Sequence, residues 1–121
     1  MDMVYQHTIP FGAPSQLRLL IAANQEGDAE VSVLDAFNQP IGNLRNMKAH
    51  LNELKAVVSA TSTPVEAKND KAVCVLRMTE DQRQDDIEVR YEDLERNRAI
   101  TATVTVEDFK QLIEELTKEK S

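Results

Sequence analysis

The sequence predicts an α+β fold, antiparallel sheet carrying two amphipathic helices, and three stretches of it carry that expectation. Ile87, Val89 and Tyr91 alternate with Glu88, Arg90 and Glu92; Ile100, Ala102 and Val104 alternate with Thr101 and Thr103; Glu95–Arg98 turns the chain between the two runs. Such alternation is what a half-buried strand requires, one face on a core and one in water. Behind Thr105, a natural N-cap with Asp108 three residues on, Val106, Phe109, Leu112, Ile113 and Leu116 follow at helical spacing. Leu44, Met47, Leu51, Leu54 and Val58 step by three and four residues, which predicts a first helix from Leu44 to near Ala60.

The remaining elements follow in order. Pro10, Gly12 and Pro14 punctuate the start of the chain and leave room only for a short edge strand over Val4–Ile9. Gln16–Ala23 is the first firm strand, with Leu17, Leu19 and Ile21 on one face, and Asn24–Asp28 is a turn in which Gly27 is free to take a positive φ. Glu30–Phe37 reads as a second strand with Val31 and Val33 inward. Pro40–Asn43 reads as a short third one, at an edge or strand start because proline cannot donate to a ladder. Thr61–Lys71 is polar, holds Pro64, and reads as a surface connection, whereas Lys71–Met78 is a buried strand. Thr79–Asp85 has neither glycine nor proline to make a turn and is either a loop or the extension of a protruding hairpin.

Three strands and a helix, twice over, give residues 16–60 and 71–118 the layout of two βββα units, without a shared run of identities. A single domain over residues 1–121 accommodates both, since neither half alone is large enough for a comfortable core.

The formal charge is −7, and its distribution is uneven. Glu80, Asp81, Asp85, Asp86, Glu88, Glu92, Asp93 and Glu95 face only Arg83 and Arg90 within one segment, a local net of −6. A field of this sign repels phosphate backbones and attracts basic partners. The N-terminus has neither the basic nor the apolar region of a secretory signal. The longest apolar run, Leu19–Ala23, falls far short of the roughly twenty residues that span a bilayer. With Cys74 as its one cysteine, set among Ala72, Val73, Val75 and Leu76, the chain is expected in the cytoplasm, away from membranes, with that thiol in the core.

Catalytic chemistry finds no constellation. His7 and His50 pair with nothing at metal-ligand spacing, no serine lies in a Gly-x-Ser-x-Gly context, and Gly12, Gly27 and Gly42 are too far apart to cradle a phosphate. The acidic segment lacks the spacing and turn glycine of an EF-hand loop. The expectation is therefore a non-enzyme without cofactor or metal: a cytoplasmic protein-binding, adaptor or regulatory domain. Asp85, Asp86, Glu88, Glu92 and Asp93 are its candidate interaction surface toward a basic protein. An alternative is a binder of single-stranded nucleic acid, with Arg90, Arg96, Arg98, Thr101 and Thr103 on the open face of the sheet. A third is a small-ligand pocket between sheet and helices. A small sheet of this kind is also expected to complete itself as a homodimer.

Overall fold

The computed structural model describes residues 5–13, 15–58, 63–79 and 86–120, with side chains to residue 116. Eight strands and two helices follow in the order β1 (Tyr5–Pro10), β2 (Arg18–Ala23), β3 (Asp28–Leu34), β4 (Met47–His50), α1 (Leu51–Val57), β5 (Val65–Lys68), β6 (Ala72–Met78), β7 (Asp86–Asp93), β8 (Arg98–Thr105) and α2 (Val106–Lys120). All eight strands lie in one antiparallel sheet, each beside its neighbour in sequence. The sheet curls until its ends meet: Gly12, just past β1, donates its N–H to Thr103 O of β8 at 2.8 Å.

Curling puts one face inside. Ile9, Leu19, Ile21, Val31, Val33, Met47, Val65, Cys74, Leu76, Ile87, Val89, Tyr91 and Val104 line the interior, every second residue of their strands. Leu51, Leu54 and Val57 of α1 and Val106, Phe109, Leu112, Ile113 and Leu116 of α2 complete the same cluster. The helices touch each other, and α2 packs on β1 and β8 at the seam. The hairpin of β7 and β8 and the helix behind it follow the sequence expectation. Thr105 Oγ1 accepts the Asp108 N–H at 3.1 Å, the capping bond that opens α2.

Three expectations are corrected. The first helix does not begin at Leu44: Met47–His50 is a strand, and only Leu51–Val57 is helical. Asn46 at φ 53° breaks a helical path, and the Met47–His50 backbone pairs with Asp28–Val31. The apolar stripe is nonetheless buried at Leu44, Met47, Leu51 and Leu54, because spacing reports burial and cannot separate a strand end from a helix start. The polar connection expected over Thr61–Lys71 contains β5, whose Val65 and Ala67 alternate inward. Pro40 makes one isolated bridge to Leu34 instead of a third strand. Each half of the chain thus carries four strands and a helix, and all of it shares one sheet in place of two βββα units packed together.

Among the described residues no helix is long and apolar enough to cross a membrane.

Candidate interaction surfaces

The outward residues of β7 are Asp86, Glu88, Arg90 and Glu92, and register sets Thr105, Thr103, Thr101 and Ala99 of β8 beside them in turn. Arg77 of β6 lies opposite Glu88, and its guanidinium reaches that carboxylate at 3.0 Å. The acidic surface is therefore mixed: one of its carboxylates is paired, and exposed Arg90 divides Glu88 from Glu92. Asp85 lies outside the described residues. Asp86 and Glu92 remain as half-exposed acids of this face.

Asp93 does not belong to that surface. It ends β7 on the inward phase and is only 6% exposed. Its carboxylate accepts the Asn43 side chain at 3.0 Å, the Asn43 N–H at 3.3 Å, and the Glu95 and Arg96 N–H groups of the following turn. These bonds, the Asn43 side chain foremost, outweigh desolvation and hold the carboxyl below its ordinary pKa. Asn69 carries the same network onward, donating to Asn43 O and Arg45 O and accepting the Lys71 and Ala72 N–H groups. An acid that the sequence offers as surface is thus a fastener between the loop before β4 and two hairpin ends.

The residues of the nucleic-acid alternative are split. Arg90 and Thr101 are paired in register on the outer face, with Thr103 next to Glu88. Arg98 is opposite Asp93 and so on the other phase, and Arg96 lies in the turn with its Nε 3.9 Å from the Asp93 carboxylate.

On the outer side of β3, β4 and β5, Asp28, Glu30, Lys48, His50, Glu53 and Glu66 line an open groove of about 540 Å³. His50 Nδ1 stands 3.7 Å from Asp28 there, and Asn46 donates to Glu30 at 3.2 Å. Among the described residues no group of His, Cys, Asp and Glu is arranged to hold a metal ion. Cys74 is fully buried opposite Tyr91, and desolvation pushes its thiol pKa up to about 12, the state of an inert core thiol.

One feature escaped sequence reasoning. Phe37 lies past the end of β3, outside the strand expected over Glu30–Phe37, and is 83% exposed. Its turn is tightly made: Asp35 Oδ1 accepts the Phe37 and Gln39 N–H groups at 2.8 and 3.0 Å, Asp35 and Gln39 bond through their backbones, and Asn38 takes φ 62°. The signal was present in Asp35, Asn38 and Pro40, the residue types of a side-chain-capped turn. Beside it, Leu20, Leu34, Asn38 and Pro40 line a shallow groove of about 560 Å³ together with β1.

Against models of known families, curated proteins and solved structures, the chain matches none.

Proposed function

We propose that this chain is a non-enzymatic cytoplasmic binding domain that engages a protein partner through Phe37. The observation that carries the reading is an aromatic ring held out in water by a turn that its own side chains fix. An exposed large side chain is ordinary; one on a prearranged turn loses little conformational freedom on docking, which is what an interface anchor needs. Aromatic residues dominate such anchors, and this chain has only five, three Phe and two Tyr. The excess of acid, formally −7, favours a basic partner with an apolar pocket, drawn in by long-range attraction. Asp86 and Glu92 belong to the steering surface in this reading, and self-association belongs with it too.

The test compares wild type with Phe37→Ala as bait in native lysate, with mass spectrometry and nucleic-acid detection on what is retained. A protein held by wild type and released by Phe37→Ala, with an unchanged melting curve, supports the reading. Retention that is indifferent to Phe37 overturns it. Retention of nucleic acid, lost on Arg90→Ala, would instead favour the second reading, which rests on Arg90 and Thr101 sharing the outer face.

A further inference from the structure

Strand β8 ends the sheet, and its two halves meet different surroundings. At Thr103 the carbonyl turns away from β7 to accept the Gly12 N–H. Backbone groups alternate along an antiparallel strand, so Ala99 and Thr101 turn their N–H and C=O outward as well. The far side of β7 gives the same phase. Asp86 O accepts from Thr79 on the β6 side, which leaves Val89 and Tyr91, with their partners Ala102 and Ile100, to make the β7–β8 ladder. Among the described residues nothing meets the outward groups of Ala99 and Thr101, and Ala99, Ile100 and Thr101 are all exposed. Free edges are commonly blunted by proline or by central charges; this stretch has no proline, and its one charge, Arg98, stands at its end.

The geometry points to a second copy of this chain as the occupant of that edge, two β8 strands pairing antiparallel about a two-fold axis at Ile100. In this register Ala99 faces Thr101 of the second copy, twice by symmetry, and every outward N–H and C=O of the free half finds a partner. Neighbouring registers do not achieve this. Centring the axis on Thr101 sets Ala99 against Thr103, whose carbonyl Gly12 already engages. Centring it on Ala99 sets Thr101 against Asn97, which sits in the turn at φ 51°. With the axis at Ile100, the two Ile100 side chains meet as a non-hydrogen-bonded pair, the closer kind, and cover apolar surface now 37% exposed.

Charge agrees with the same register. On the outer face, Glu92 lies beside Ala99 and Arg90 beside Thr101. Across the joined strands each row therefore reads Glu92, Ala99, then Thr101 and Arg90 of the second copy, with opposite charges at its ends. The ends are three strand spacings apart, roughly 14 Å, over two small residues that leave long side chains room to lean together. Arg98 meets Ala102, so no like charges face each other at the joint. The face is self-complementary although the chain as a whole repels itself.

This dimer deepens the interaction reading without depending on Phe37, and the experiment keeps the two apart. Sedimentation should give twice the chain mass for wild type and for Phe37→Ala, and the single-chain mass for Thr101→Pro. Proline there removes an outward N–H that β7 does not use, so the fold should persist. Ile100→Cys should cross-link to itself on mild oxidation, since opposed Cα atoms about 4.5 Å apart lie within disulfide reach. Ala102→Cys, which faces Arg98, should not. If Thr101→Pro fails to fold, the cysteine pair decides alone. A wild type that stays monomeric to its solubility limit overturns the proposal. So does a dimer in which Ile100→Cys fails to cross-link, or an edge filled by a different protein in place of a second copy.

Discussion

Asn43 donates its side-chain amide to Asp93 at 3.0 Å, joining residues fifty positions apart. Asn43 precedes β4 and Asp93 ends β7, so the bond ties the two halves of the chain outside the sheet ladder. Gly42 takes φ 53° beside it, where a Cβ would come within 3.0 Å of Asp93 Oδ2. The loop thus approaches the carboxylate so closely that only glycine fits without displacement.

A carboxyl whose pKa is lowered on folding contributes stability above its unfolded value and loses it as pH falls through the folded one. For Asp93 the window therefore opens near the ordinary value of 3.8 and extends below it. Asp93→Asn should lower the melting temperature at neutral pH. The gap to wild type should narrow as pH drops below about 3.8, because wild type then loses the charge the variant never had. Thermal melts of both proteins from neutral pH downward check this. An equal gap at all pH values would assign the loss to shape instead of charge.

Tyr91 carries the one tyrosine hydroxyl in the core, 2% exposed and without a hydrogen-bond partner among the described residues. Its ring lies 6.0 Å from that of Phe11, and burial raises its pKa, with Cys74 adding to the rise and Arg98 opposing it. A buried donor left unsatisfied is unfavourable by about 1–3 kcal/mol. Tyr91→Phe keeps the ring contact and removes the hydroxyl, so it should raise unfolding stability by about 1 kcal/mol in a denaturant titration. A loss of that size would show that the hydroxyl is satisfied.

The sequence made burial more legible than geometry. Period-2 alternation located β7 and β8, and helical spacing with Thr105 located α2, because each is long enough for its period to repeat. The stripe from Leu44 to Val58 located four buried residues and a half-buried fifth, Val58, but not their backbone, since four strand residues running into a seven-residue helix imitate one longer helix. Asp93 was illegible for another reason. Its partners Asn43 and Arg96 lie on separate turns, and composition alone cannot distinguish a carboxylate engaged by amides from one in water.

Phe109 is fully buried, in the same cluster as Ile9 of β1 and Val104 of β8. Helix α2 spans the seam where the sheet ends meet, so its anchor holds the curl closed as well as filling the core. Phe109→Ala should destabilise by about 3–5 kcal/mol, the range for deleting a buried aromatic ring. Chemical denaturation measures it directly; a loss under about 1 kcal/mol would mean that α2 packs only loosely on the sheet.

The acidic face separates the two functional readings by sign. Asp86 and Glu92 are its half-exposed carboxylates, and neither has an ion-pair partner among the described residues. Asp86→Asn with Glu92→Gln should therefore move stability by no more than about 0.5 kcal/mol, unlike the change at Asp93. If a basic protein is steered here, the double variant should bind it with a slower on-rate, and the difference should shrink as salt rises. If single strands bind through Arg90 and Thr101, the same substitutions should tighten binding, because two charges that repel phosphate are gone. Surface-bound kinetics at low and high salt, with the captured protein and an oligonucleotide as separate analytes, read both signs. Unchanged kinetics with both analytes would remove this face from either mechanism and leave Phe37 to carry the protein interaction alone.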